Sequence, residues 1–522
     1  MSVEREKTPL EVDFEVTQVL DTDDAALTRL GISRELRREL TSWSTLSIAF
    51  SIFGCVATIA STVNTPILLG GPASAIWTWF LGFWGCLAIA VSVAELVSAY
   101  PSSSGAYGAT GYVFAGHRYG KGITYVNAWI TTVGQLAVPA SGNFACSQMV
   151  WAAVTIAKDG NFTATKGEVL GLYCLLNVLM GAFNALPTRT LNGPTSLWMW
   201  VNLATSLTVI IAVPIGAAHR HALASSRFVW TAIVDGSGWG NKPFAFFLGL
   251  LCVQWVMTDY DGVAHLSEEI KHAAIAAPVS IIVSLVSTGV IGFGVIVALC
   301  YGIRDLKALP GPTSMVFPQI LWDTLGKNGA LVLWSFVILI QIFTSLAVQL
   351  ACVRSMYAIS RDGAFPDKRI LSRVWRVTET PMNALVVTVI LQCLFGLLYL
   401  ASYTAINAVF SITAVALDLS YIIPTAGKLY GYLSGSCEIR FQPGPFYLGR
   451  WGYAINAYAI LWTIFETGIL IMPQVYPVTS STMNYAGPIM VGVVVFSGVW
   501  YNLCGKRTYW PAHYAGNQTE NT

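Results

Sequence analysis

Two carboxylates and a glycine stand in one stretch, Val253-Gln254-Trp255-Val256-Met257-Thr258-Asp259-Tyr260-Asp261-Gly262, deep in an apolar run that begins near Phe244. A charge at that depth in hydrocarbon costs at least about 2.5 kcal/mol, so such residues usually face a cavity, an ion or a partner. The chemistry open to them is non-covalent: holding an amine, or holding a proton. Aspartate is also a good helix N-cap. Asp261 is placed to cap a half-helix over Gly262–Ile270, and both aspartates acting as caps is not expected. Trp255, one turn before Asp259, reads as an aromatic lid. A second apolar run is also interrupted, at Gly54-Cys55, with Thr58, Ser61, Thr62, Asn64, Thr65 and Pro66 following. It reads either as an unwound segment whose N–H groups face a substrate or as a kinked helix packed through small residues.

Three further carboxylates lie in apolar surroundings. Glu95 stands near the inner end of its run and is expected to pair with a loop cation. Asp418, mid-run, is either a proton carrier or a group bonded across helices, and Glu466 is expected to serve packing or an oligomer contact. His265, Glu268 and Glu269 read as an inner gate or salt-bridge cluster. The chain carries no H-E-x-x-H, G-x-S-x-G or P-loop pattern, and Gly289, Gly292 and Gly294 lie inside an apolar helix, so no enzyme, cofactor or nucleotide site is expected. Of ten cysteines only Cys437 lies in a polar stretch; none has metal spacing, and the others read as small buried hydrophobes.

The elements that must position these groups are membrane helices. Charged residues make up 11% of the 522, against roughly 25% in soluble domains, and 55% are hydrophobic, which excludes a disordered chain and an ordinary soluble enzyme. A net charge of +2 leaves no nucleic-acid footprint. A span needs about 20 apolar residues, and twelve runs qualify: 43–69, 75–99, 124–156, 168–187, 194–217, 243–264, 278–302, 329–358, 382–402, 405–426, 453–474 and 484–504. With the N-terminus inside, the inner segments, counted with Arg354 at the inner end of the eighth run, hold 21 of the 29 Lys and Arg and the outer segments eight, which predicts cytoplasmic termini. The sequon at Asn161 falls on the outer side of this topology as a candidate glycosylation site; the one at Asn517 falls inside. The expected organisation is a cytoplasmic tail (1–42), one transmembrane bundle (43–505) and a short cytoplasmic tail (506–522). Residues 1–42 do not read as a cleavable signal, because the polar stretch is too long before the first apolar run. Leu27, Leu30, Leu36 and Leu40 are spaced either for a short amphipathic helix on the membrane surface or within a solvated tail. Two interrupted runs five apart are a sequence pointer to a transporter's central site.

Several segments resemble the fungal amino acid/choline/GABA permeases of the amino acid–polyamine–organocation superfamily. They are Phe50-Ser51-Ile52 leading to Gly70-Gly71-Pro72, Ala94-Glu95-Leu96-Val97-Ser98-Ala99-Tyr100-Pro101 with Ser102 to Tyr107, Asp261-Gly262-Val263-Ala264-His265-Leu266-Ser267-Glu268-Glu269, and Ser360-Arg361-Asp362-Gly363-Ala364-Phe365-Pro366. The resemblance implies an all-α integral membrane fold of twelve transmembrane helices, a LeuT-like 5+5 inverted repeat with two accessory helices. It also implies uptake driven by protons across the plasma membrane, some relatives serving vacuoles. Substrate recognition would fall on the two breaks, here Gly54, Ala57, Thr58 and Ser61 with Trp255, Asp259 and Tyr260. The chain departs from the family in carrying Asp259 where glycine is usual, and Asp418 where a neutral residue is usual. Both are proton-coupling candidates. The expected function is a proton-coupled importer of amino acids, GABA or a related amine. The alternatives are a choline- or polyamine-type cation permease, in which Trp255 adds a cation–π contact, and a nutrient receptor without transport. The expected partners are a small amine or amino acid, protons and the lipid bilayer.

Overall fold

The computed structural model describes residues 23–511 apart from 33–35, 37, 376–379, 402, 437 and 440; at 188–196, 401, 403–405 and 407 it describes the backbone alone. Residues 1–22, Cys437 and the Asn517 sequon thus lie outside the described residues. Among the described residues every regular element is a helix, and extended pairing is limited to one isolated parallel bridge between Leu40 and Ile270.

Nine described helices are long and apolar enough to cross a membrane. The remaining three expected runs are also helical, and each has its reason for falling short. Gly120–Ala157 has 38 residues, but it buries Asn127, Gln135, Ser141 and Asn143. Trp451–Leu470 buries Asn456, Thr463 and Glu466. The sixth run is cut into Lys242–Phe247, Leu250–Met257 and a 3-10 turn over Ala264–Glu269. The 46-residue helix Val316–Arg361 exceeds a membrane's thickness and is broken at Gly326, where φ is +77°.

Helix starts follow local chemistry. Thr41 and Ser44 form a reciprocal capping box at Ser42–Phe53, as Thr165 and Glu168 do at Lys166–Asn184. The interruption of the first run is narrower than its composition suggested. Gly54 alone leaves the helix, at φ +57°, and Cys55–Thr62 resumes at once. A Cβ on Gly54 would sit 2.1 Å from Thr344 Oγ1, so only glycine fits the crossing. In the sixth run the chain is extended at Thr258 and left-handed at Asp259 (φ +65°). A Cβ on Gly262 would lie 2.9 Å from both Ile52 Cδ1 and Asp259 Oδ2, so the two breaks meet back to back.

Both described chain ends gather at one end of the bundle. Leu40 pairs its backbone with Glu269 and Lys271 at 3.0 and 3.1 Å, and the Trp510 N–H donates to the Asp362 carbonyl at 3.0 Å. The N-terminal leucines form neither a surface helix nor a solvated tail. Among the described residues before Leu40 the helix covers 23–29 alone, and Leu27, Leu30, Leu36 and Leu40 are each at most 4% exposed. Leu30 packs among Leu96, Tyr100, Val113 and Ile439, and Leu36 against Tyr357. Charged contacts tie the segment further: Arg38 donates to Asp24 at 2.5 Å, and Asp23 accepts the His272 N–H at 2.9 Å. Asn161 is exposed in the turn between Gly120–Ala157 and Lys166–Asn184. Six of the nine described cysteines are buried; Cys504, expected to be buried, is exposed, while Cys174 and Cys393 are intermediate.

Candidate functional site

A vestibule of about 580 Å³ is lined by Ser61, Asn64, Gln148, Trp151, Thr313, Phe410 and Gln474 among others, none of them charged. Beneath it lies a central cavity of about 20 Å³, lined by Thr58, Gly142, Trp255, Asp259, Gln341 and Thr344 among others. That volume holds about one water molecule, so occupation by anything larger requires the lining to move. Trp255 lines the lower space and Phe410 the upper, and their rings stand 5.2 Å apart. The Trp255 Nε1–H donates to Ser141 Oγ at 3.1 Å, which fixes the ring as the partition between the two spaces. Gln341 links the levels, donating to the Gly142 carbonyl at 3.2 Å and accepting from Ser61 at 3.4 Å.

The expected site residues divide. Thr58, Trp255 and Asp259 line the central cavity, and Ser61 the vestibule. Gly54 contributes by letting Thr344 approach. Ala57 is buried in the helix Cys55–Thr62, and Tyr260 turns away to lie against Tyr421 with ring centroids 5.6 Å apart. Thr58 donates across the Gly54 break to the Phe53 carbonyl at 2.6 Å and to Cys55 of its own helix at 2.9 Å, and Ser61 donates to Ala57 of the same helix at 2.9 Å. The sequence reading missed Gln135, Ser141, Gln341 and Thr344. Each is a neutral polar residue inside a long helix; the available signal was polarity within an apolar run.

Asp259 and Asp261 are two residues apart and meet different surroundings. Asp259 Oδ1 accepts from Gln135 Nε2 at 2.8 Å. Its Oδ2 has no hydrogen-bond partner among the described residues, and neither has Thr344 Oγ1. The cavity therefore offers a free carboxylate oxygen for an N–H donor and a free hydroxyl for a donor or acceptor. Asp261 is saturated. Oδ1 accepts the Tyr421 hydroxyl at 2.6 Å, Oδ2 accepts the Ala106 N–H at 3.0 Å, and His265 Nε2 stands 3.4 Å from Oδ2. The expected cap over Gly262–Ile270 is absent: the 3-10 turn Ala264–Glu269 has no side-chain cap, and Asp261 serves the first turn of Gly105–Val113 instead. The His265 Nδ1–H donates to the Ser103 carbonyl at 2.8 Å, and Nε2 stands 3.2 Å from Gln135 Nε2.

Below this layer the chain ends meet an ion-pair cluster. Arg361 grips both Glu268 oxygens at 3.0 and 3.1 Å, and Arg354 donates to Glu269 at 2.6 Å. Burial pushes the Glu268 carboxyl up, but the Arg361 guanidinium and the Ser103 N–H outweigh it and hold Glu268 below the usual carboxylate range. Glu95 finds its cation in Lys428, just past the tenth expected run, where the helix Tyr403–Ser434 continues in place of a loop, and it also accepts the Leu448 N–H at 3.2 Å. Among the described residues no group of three His, Cys, Asp or Glu forms a metal cluster.

Comparison with known proteins gives a consistent picture. A family model described as amino acid permease matches residues 41–496. The chain is similar to an uncharacterized amino-acid permease of Schizosaccharomyces pombe, at 36% identity over 96% of this chain and 90% of that protein. It is similar to Amino-acid permease 2 of Neurospora crassa, at 32% over 94% and 90%. It is also similar to the GABA-specific permease of Saccharomyces cerevisiae, at 29% over 93% and 85%.

Proposed function

Since the chain belongs to the amino acid permease family, and is therefore an integral membrane transporter and not an enzyme, we propose that it is a proton-coupled importer of amino acids, GABA or a related amine. The observation that carries this reading is the central cavity between the two helix breaks, with the unpartnered Asp259 Oδ2 on one side and the unpartnered Thr344 hydroxyl on another. A substrate ammonium would donate to Asp259. A substrate carboxylate would take the Thr344 hydroxyl and the positive end of the helix that starts after Gly54. The neutral vestibule would be the entrance, Trp255 and Phe410 the outer partition, and the Glu268–Arg361 and Glu269–Arg354 pairs the inner gate.

In this reading the chain folds as twelve spans in a 5+5 inverted repeat with two accessory helices. Residues 1–42 and 506–522 lie in the cytoplasm, 43–505 in the plasma membrane, and Asn161 on the outer face, open to glycosylation. A second reading rests on the same oxygen: with no donor reaching its Oδ2 among the described residues, Asp259 suits a cation such as choline or a polyamine. Labelled uptake in a permease-deficient yeast tests both, comparing GABA, a neutral amino acid, choline and putrescine at pH 5 and pH 7. Uptake of GABA or the amino acid, faster at pH 5, supports the first reading. Uptake of choline or putrescine alone replaces it with the second. No uptake of any of the four overturns both.

A further inference from the structure

Asp418 and Glu466 form a buried pair away from the central cavity. Both are fully shielded from solvent, Asp418 in the helix Tyr403–Ser434 and Glu466 in Trp451–Leu470. Their carboxyls lie within hydrogen-bonding reach of each other. Asp418 Oδ1 has a long contact, 3.5 Å, from the Thr258 hydroxyl. No donor reaches Asp418 Oδ2 or either Glu466 oxygen, and neither residue forms an ion pair among the described residues. The other titratable groups facing the pair are the Cys86 thiol from Pro72–Ala99, Tyr260 from the sixth run and Tyr421 from the helix of Asp418. None of them is a cation. Two ionised carboxylates in contact, dry and without a counter-charge, repel each other and lack hydration. One proton held between them removes the repulsion and supplies the missing donor, as in carboxyl dyads generally. Of the two expectations for Glu466, packing or an oligomer contact, this position argues against the second, because the side chain is buried within the bundle.

The pair also touches the break in the sixth run. Thr258 and Tyr260, on either side of Asp259, turn toward Asp418 and Glu466, while Asp259 turns toward Gln135. A change at the pair is therefore felt where the sixth run leaves its helix. We propose that Asp418 and Glu466 together form a proton-binding site, and that gain or loss of its single proton is transmitted to the unwound segment at Asp259 through Thr258 and Tyr260. The transmission rests on the proton-coupled reading above; the proton binding does not.

The test uses the full chain in lipid nanodiscs and in proteoliposomes. Infrared difference spectra between pH 5 and pH 8 read the protonated-carboxyl C=O stretch without any substrate. The double variant Asp418→Asn/Glu466→Gln is expected to lose a band that the wild type shows. The single variant Glu466→Gln, the milder change should the double variant not fold, is expected to keep its band unchanged across that range, since a lone buried acid has no charged neighbour to expel its proton. Band intensity and titration identical to wild type in either variant overturn the proposal. In proteoliposomes, the ratio of GABA, alanine, choline or putrescine uptake at pH 5 to that at pH 7 is expected to fall to about one in both variants. A lost band with the wild-type ratio retained overturns the transmission. A wild type whose uptake ignores pH overturns the proton-coupled reading instead, and the spectra still decide the pair.

Discussion

Asp261 holds the start of a helix that lies far from it in sequence: its Oδ2 accepts the N–H of Ala106, across 155 residues, at 3.0 Å. The contact is possible because Gly105 adopts φ +58° and has no side chain. A Cβ there would sit 2.6 Å from Asp261 Oδ2 and 2.7 Å from His265 Cε1. Gly105→Ala therefore forces apart the sixth run and the helix Gly105–Val113, and combines a clash with left-handed strain of about 1–3 kcal/mol. The expected outcome is a clear fall in Tm of the detergent-purified protein. Gly171→Ala, in a helix interior with nothing within 4 Å of the new Cβ, is the matched control and should hold or slightly raise Tm. Equal effects of the two would refute the account.

Asp259→Asn keeps the shape of the side chain and its Gln135 neighbour but removes the charge. A hydrogen bond to a charged group is worth roughly 1.5–3 kcal/mol, so uptake of a cationic substrate should fall by about tenfold to a hundredfold. Surface expression should be unaltered, because Oδ2 has no partner within the fold to lose. Wild-type uptake by this variant would remove Asp259 from the site.

Lys428 and Glu95 are both buried, in different helices. Lys428→Met leaves a buried carboxylate without its cation and should cost about 3–5 kcal/mol, whereas the double change with Glu95→Gln should recover much of the loss. Thermal unfolding of both single variants and the double one gives the coupling. Additive effects would mean that the pair contributes nothing of its own.

Because Glu268 is held below the usual carboxylate range, its contribution to stability has a definite sign with pH. The group favours the folded state while ionised; that contribution is fully present above its unfolded value, about 4.3, and is lost as pH falls through the lower folded value. The Tm gap between wild type and Glu268→Gln should therefore be constant from pH 7 to 5 and close in stronger acid. A gap that closes between pH 7 and 6 would contradict the sign.

Much of the scaffold and part of the site were legible from residue order. The two breaks were visible because glycine and aspartate are foreign to apolar helices, and Trp255 and Asp259 line the cavity where that reasoning put them. The partners were not visible. Gln135 and Thr344 carry no charge, and only tertiary packing distinguishes them from other polar residues in the same helices. Asp261 was misread as a local cap because sequence proximity favours Gly262 over Ala106, while the folded chain brings Ala106 within 3.0 Å. For Glu466, packing and an oligomer contact stayed open together because a single carboxylate in a helix does not reveal which face is buried. The N-terminal leucines had the right spacing, but the receiving surface is assembled from helices hundreds of residues away.

The neutral lining of the vestibule sets the physics of first encounter. With no charged side chain among the residues that line it, the vestibule wall itself gives a zwitterion and a cation equal terms, without the attraction that a charged funnel lends to capture. Arrival should then be governed by diffusion and wall wetting, indifferent to ionic strength. Discrimination is deferred to the last few ångströms, where each candidate must shed its hydration shell in front of a single carboxylate.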